Sequence, residues 1–416
     1  MTATSTVSSH SASPAPARPA TRRPAHFWLV ASVLLLFMAS ASAPSPLYVV
    51  YQSEWHFPAT TLTAVFAVYA LALLLSLLTV GSVSDFLGRR PVLAAALVMQ
   101  AAGMGLFLVA DGVAGLVVAR VVQGLATGAV LGTISAALLD FEPPGRVGRG
   151  ALLNSVAPPV GLAIGAVGSG LLVQFAPAPT SLVFVVLGLA FLALAAGVLL
   201  LPETVPRRPG ALDSLRPRIA LPAGGKGIFW STVPALVATW SLGGLYLSLG
   251  PSLAADLLDL HNHLVGGLVV ATLNVAAAIA ALAGQRRSAP SLLLGGCLVL
   301  AAGAAVTLLS LLATSVPGFF VGSALAGVGF GAAFLGAFRT VSGLARPEER
   351  AELFAAVYVV SYLAFSIPAV IAGFATSSFG LRDTATGYGT AIIVLALVVV
   401  AHSTLRRRAV PATAIR

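Results

Sequence analysis

Arg120 and Gln123 stand three residues apart in a long apolar run, residues 112–139, whose only ionisable group is that arginine. Holding an arginine at the centre of a membrane span costs about 2.5–3.5 kcal/mol on insertion scales, so a chain that keeps one there has a use for it. Meeting an anionic substrate is one such use. The bland alternative is a side chain that snorkels to the nearer interface, about eight residues or roughly 12 Å away. A second constellation reads Gly81-x-x-x-Asp85-x-x-Gly88-Arg89-Arg90, followed by Pro91. Asp85 can pair with Arg89 one helical turn on. Gly81 admits a close neighbour and Gly88 supplies a turn, while Pro91 suits the first turn of the next helix.

Other chemistry is poorly provided for. No catalytic residue is assigned, and the chain is not expected to be an enzyme. The single cysteine, Cys297, lies within an apolar run, which excludes an intramolecular disulfide and suggests no thiol metal site. His261 and His263 are too sparse a pair for a metal, so no metal is expected. No Gly-x-x-x-x-Gly-Lys-Ser/Thr occurs, which argues against direct ATP drive. None of the 13 acids sits deep in an apolar run. Cationic compounds are therefore not expected to find a buried counter-charge, and proton coupling would need an unusual group. Gln100, Asn154, Asn274, Tyr48, Tyr246, Trp240, Tyr358 and Tyr362 are further polar or aromatic candidates. Each could instead be an interhelical hydrogen bond or an interface anchor.

The elements that must position these groups follow from composition. Of 416 residues, 58% are hydrophobic and 9% charged, against about 25% charged in a soluble domain. Apolar runs long enough to cross the roughly 30 Å hydrocarbon layer recur from end to end. The chain reads as an all-α polytopic membrane protein whose partner is the lipid bilayer. Twelve spans are expected at 27–51, 60–84, 91–110, 112–139, 150–176, 181–201, 227–253, 264–284, 290–314, 316–344, 352–380 and 384–405. They form two six-helix bundles, 27–201 and 227–405, joined by a basic linker at 202–226. Residues 1–26, rich in Ser, Ala, Thr and Pro, read as a disordered tail rather than a transit peptide, and 406–416 as a second tail.

With the N-terminus inside, the inner segments hold 20 of the 23 basic residues. That asymmetry places both termini in the cytoplasm. The arginines sit in short loops without aromatic interleaving, so the net charge of +10 reports topology and not nucleic-acid binding. The halves also echo each other at an offset of 203 residues. Gly81 pairs with Gly284, Gly115 with Gly318, Gly124 with Gly327, Gly128 with Gly331 and Pro144 with Pro347. Repeated halves with substrate held between them are a transporter architecture.

The Gly81–Arg90 stretch, placed after the second span, resembles the signature loop of the major facilitator superfamily. The resemblance covers the whole layout from 27 to 405. It implies that Asp85 faces the start of the eleventh helix near Glu349–Leu353, where a carboxylate suits the positive helix end. The loop is then a cytoplasmic latch, formed when the outside is open and broken when the inside opens. The second half has only Gly284-Gln285-Arg286-Arg287, without the acid, so the latch is expected to be one-sided. The stretch around Arg120, "RVVQGLATG", is similar to the fourth-helix motif of facilitator proton antiporters, which implies proton coupling or substrate holding by Arg120 and Gln123. Gly124 and Gly128 are expected to pack helices closely. Gly161, Gly165 and Gly170 match the antiporter fifth-helix motif, although Ala166 and Ser169 depart from it. The implied function is secondary active export of a small organic molecule by a monomer in the plasma or inner membrane. No cofactor is expected beyond a proton gradient as driving force. Uptake of a neutral or anionic metabolite is the alternative. A non-transporting sensor would be expected to carry a long signalling domain.

Overall fold

The computed structural model describes residues 23–409 except 147, 218, 223, 347 and 348. Residues 1–22 and 410–416 of the expected tails, and Pro347 of the repeat pairs, lie outside the described residues. Among the described residues, twelve helices are long and apolar enough to cross a membrane. They are α1 (Pro24–Trp55), α2 (Ala59–Val80), α3 (Arg89–Leu108), α4 (Val113–Asp140), α5 (Arg149–Phe175), α6 (Leu182–Leu199), α7 (Lys226–Ser248), α8 (His263–Arg286), α9 (Ala289–Leu312), α10 (Val316–Ser342), α11 (Arg350–Phe379) and α12 (Leu381–Leu405). No strand occurs among the described residues. Helix is the form in which such a chain satisfies every backbone polar group within its own segment.

Proline and glycine explain where the observed ends depart from the expected ones. α1 already begins within the expected tail and has a turn at Ala43, just before Pro44 and Pro46 withdraw N–H donors from the next turn. α2 stops at Val80, and Ser84–Leu87 forms a separate short helix ended by Gly88 at φ +99°. α7 ends at Ser248 and gives way to short irregular turns through Gly250–Leu257, around Pro251.

Each half is centred on an apolar core, the first of which also takes in Leu245, Leu249 and Ala372 of the second half. Phe37 against Phe191 and the stacked pair Phe107–Phe184, ring centres 5.2 and 4.5 Å apart, anchor the first. Phe229, Leu236, Cys297, Phe319 and Leu353 belong to the second. The repeat is visible in how glycines seat the helices. A Cβ at Gly124 or Gly128 of α4 would strike the Tyr69 or Leu73 carbonyl oxygen of α2. At Gly327 or Gly331 of α10 it would strike the Leu273 or Ala277 carbonyl of α8. Both helix pairs therefore pack backbone to backbone at equivalent places.

The halves meet along α5 with α8 and α2 with α11. Loops after the even-numbered helices define one end of the bundle, rich in arginine; the other is the far end. Contact between halves is concentrated toward the far end. Ser45 Oγ donates to the Leu247 carbonyl at 2.7 Å, and His263 N to Gln174 Oε1 at 3.0 Å. Gly170, Gly267 and Gly373 bring the halves into contact there, against His263, Ala166 and Thr63 respectively. Toward the arginine-rich end the facing stretch of α5, residues 151–156, is partly exposed. The bundle closes at the far end and parts at the other.

Candidate functional site

The loop between α2 and α3 is built around three carboxylates, Asp85, Asp140 and Glu203. Arg89 bonds Asp85, donates to Ser84 Oγ at 2.6 Å and places its Nε 3.5 Å from Asp140 at the end of α4. Glu203, from the linker, holds the backbone. Its Oε1 accepts from the N–H groups of Arg89 (2.8 Å), Thr204 (3.0 Å) and Val205 (3.2 Å), and its Oε2 from Arg90 N–H at 3.1 Å. An anion on the first turn of α3 satisfies donors that no preceding turn can reach and suits the positive helix end. Gly88 is needed twice over. Its φ of +99° is in the left-handed region, and a Cβ there would lie 2.5 Å from Glu203 Oε2.

The rest of the linker follows the same surface. Thr204 Oγ1 donates to Asp140 at 2.8 Å, Arg208 N–H to the Phe86 carbonyl at 2.9 Å, and Ser82 Oγ to the Ser214 carbonyl at 3.2 Å. Gly81 meets α4, where a Cβ on Gly132 would come within 2.9 Å of the Gly81 carbonyl oxygen. Asp85 is not placed against Glu349–Leu353 as the resemblance implies. It pairs with Arg89 on its own loop, and its side chain is 55% exposed. Among the described residues no hydrogen bond or ion pair joins Asp85 to Glu349–Leu353. In the second half, Arg339 of α10 does the holding. It donates to the carbonyls of Gly284, Gln285 and Arg287 and to Gln285 Oε1 at 3.0–3.5 Å, a cation on the last turn of α8.

Arg120 does not snorkel. It is fully buried, and its guanidinium is bound within the first half. Its Nε donates to Tyr48 Oη at 2.8 Å, a second nitrogen bonds the same hydroxyl, and the third reaches Gln123 Oε1 at 2.7 Å and the Ala41 carbonyl at 3.3 Å. The rings of Tyr48 and Tyr69 lie 5.4 and 5.0 Å from its central carbon. Gln123 passes the network on to the Ser40 carbonyl at 2.8 Å, and Gln100 donates to Ser40 Oγ at 2.9 Å. Neutral oxygens and aromatic faces thus stabilise the charge, with no carboxylate among its described partners. The equivalent place in the second half is neutral. Ser323, 203 residues beyond Arg120, shares a 2.7 Å hydrogen bond with Tyr246.

The fifth-helix glycines are packing positions. Gly161 and Gly165 abut α1 at Met38 and Ala39, and Gly170 meets His263 across the halves. Ala166, where the antiporter motif is broken, is buried with its carbonyl against Gly267. Sequence reasoning missed Glu203 and Arg339. An acid beside the prolines of a basic linker and a lone arginine inside the tenth span were the signals available. It named Tyr48 without joining it to Arg120, since 72 residues separate them.

A profile of the Major Facilitator Superfamily matches residues 30–303. No curated protein sequence matches the chain. Solved structures do. A bacterial homolog of the human lysosomal transporter Spinster, in an inward-facing and unoccupied conformation, superposes with a TM-score of 0.74 at 13% identity, covering 95% of this chain and 100% of its own. The nucleoside transporter NupG gives 0.68 at 12% identity, over 91% and 99% of the two chains. The human organic anion transporter MFSD10 (TETRAN) gives 0.63 at 18%, over 92% and 100%. At such identities the likeness is one of fold.

Proposed function

The chain belongs to the Major Facilitator Superfamily and is a multi-pass membrane transporter, not an enzyme; from there we propose that it exports a small organic molecule by alternating access in exchange for protons. The observation that carries the reading is the one-sided contact between the halves. Hydrogen bonds and glycine contacts join them at the far end, and they part at the arginine-rich end. An interface that can switch its contacts from one end to the other exposes a central site to one side at a time. The excess of arginine at the parted end supports a cytoplasmic placement of both termini in the plasma or inner membrane, and hence an inward-open state. The Arg120–Gln123 pair in its Arg-x-x-Gln-Gly setting supports the antiport reading. The enclosed guanidinium, already bound by Tyr48, Gln123 and Ala41, speaks against an anion resting on Arg120 in this state.

The test is flux in proteoliposomes holding the full chain, screened over neutral, anionic and cationic compounds with and without a pH gradient. Accumulation that stops when a proton-exchanging ionophore collapses the gradient is the expected result. Flux indifferent to the gradient would leave a facilitator. Anion-dependent flux that pH leaves unchanged would replace export with uptake of an anionic metabolite.

A further inference from the structure

A run of aromatic rings lies along one wall of the interface between the halves. It begins near the arginine-rich end, where Phe354 of α11 stacks on Phe338 of α10 at 5.2 Å. Phe334, one turn along, is 6.0 Å from Phe338 and 5.9 Å from Trp240 of α7. Trp240 then meets Tyr362 at 4.9 Å and Phe365 at 5.8 Å. Phe365 reaches across to Phe66 of the first half at 4.8 Å. The series therefore leads from the parted end to a contact between halves at mid-helix. Phe354, Phe338, Phe334, Trp240 and Phe365 all remain partly exposed.

Packing alone does not account for the polar atoms on this wall. The indole Nε1 of Trp240 is buried with no acceptor, although a buried donor left unmade costs about 1–3 kcal/mol. The Ser361 hydroxyl, on the helix turn between Tyr358 and Phe365, is likewise buried and unpartnered. An indole N–H can only donate, so what completes it must bring an acceptor. The ring faces, offset and edge-on, suit a flat aromatic body. Aromatic faces also attract cations, but the fully buried charge that packs toward this wall is positive. Arg120 lies 5.0 Å from the ring of Tyr69, and Tyr69 packs in one cluster with Tyr362. Among the described residues no hydrogen bond joins a carboxylate to Trp240, Tyr358 or Tyr362, and the Trp240 indole has no partner at all.

We propose that Trp240 and its flanking rings form the substrate subsite, and that the substrate class is neutral planar aromatic molecules carrying a hydrogen-bond acceptor, which Trp240 Nε1 reads. The assignment rests on the transporter reading above and adds to it the wall and the chemistry of the cargo. The rings of Phe334, Phe338 and Phe354 then form the approach from the parted end. Because Phe66 belongs to the other half, closure of that end changes the contacts around Trp240.

The experiment is equilibrium binding to the full chain in nanodiscs, corrected with empty nanodiscs, using three radiolabelled probes: 2-acetylnaphthalene, 2-ethylnaphthalene and a naphthylmethyl-trimethylammonium cation. Saturable binding should favour the acetyl compound. Trp240→Phe keeps the ring and removes the donor, and should weaken the acetyl compound about 3- to 10-fold, the worth of one neutral hydrogen bond. It should leave the ethyl compound unchanged. Phe334→Leu, a second variant outside the hydrogen bond, should weaken both naphthalenes alike. Tightest binding of the cation, or equal loss of both naphthalenes in Trp240→Phe, overturns the assignment. Flux of other compounds without saturable probe binding would sink the subsite and leave the transporter standing. Saturable binding with no flux of any compound would do the reverse.

Discussion

Arg120 is a cation kept in an apolar bundle, and its partners among the described residues are all neutral. Its planar fork matters, because two of its nitrogens share one tyrosine hydroxyl while a third divides between an amide and a carbonyl. Lysine would retain the charge but could not reproduce that geometry. Arg120→Ala is expected to abolish transport and Arg120→Lys to leave a small residue of activity, both with normal membrane insertion. Full activity of the lysine variant with only slight impairment of alanine would remove the network from the mechanism. Tyr48→Phe supplies an independent check. It strips the acceptor from two donors of a buried charge, each such bond being worth about 1.5–3 kcal/mol. A clear fall in thermal midpoint in detergent, with transport reduced as in Arg120→Lys, is the expected outcome; an unchanged midpoint would contradict it. The sequence distinguished only a cavity-facing arginine from a snorkelling one. Enclosure by the arginine's own half was not legible, because Tyr48, Ser40 and Tyr69 come from other helices and only packing brings them together.

At the scale of elements, the twelve helices were legible because lipid leaves an apolar chain little alternative, and arginines at the inner breaks and acids or turn residues at the outer ones separated them. Their ends were less so. Pro44 interrupts α1 internally, and Gly81 and Pro251 reshape the ends of α2 and α7 by a few residues, which hydropathy does not register. The glycine pairs at the 203-residue offset could be read in advance, and two of them, Gly124 with Gly327 and Gly128 with Gly331, seat α4 on α2 and α10 on α8. The docking of the linker on the loop before α3 could not, since Glu203 lies 114 residues from Arg89. That contact makes a definite prediction. Glu203→Gln keeps the size of the cap and removes its charge from the α3 terminus, an effect of about 0.3–1 kcal/mol. Gly88→Ala puts a side chain at a positive φ that only glycine adopts readily, about 1–3 kcal/mol, and pushes the same carboxylate away. Both should speed proteolysis in the 202–216 linker at equal protein folding, with Gly88→Ala the more severe. Asp85→Asn should instead slow transport while leaving the linker protected, because its carboxylate touches Arg89 and not the linker. Equal cleavage in all three variants would mean the two carboxylates do not have separate roles.

On the scale of the whole molecule, transport by this fold requires the contacts now made at the far end to break while others form at the arginine-rich end. The far-end seal is narrow. Besides the apolar contacts it rests on two hydrogen bonds between halves among the described residues, Ser45 to Leu247 and His263 to Gln174, with close approaches at three glycines. Fixing that seal covalently should arrest the cycle without disturbing either core. The chain's single cysteine, Cys297, is buried, and serine can replace it to give a thiol-free background. In that background the pair Gln174→Cys and His263→Cys brings two thiols to the place where the glutamine side chain now meets the histidine backbone at 3.0 Å. Oxidation of the pair should stop flux in proteoliposomes, and a reductant should restore it. A third cysteine at Asn154, on the partly exposed stretch of α5, should label in the oxidised protein from the arginine-rich side only. That label also fixes the orientation, since reaction in inside-out vesicles and not in intact cells places the arginine-rich end in the cytoplasm. Undiminished flux from a fully cross-linked protein would show that the far end need not open, and the alternating-access reading would fail with it.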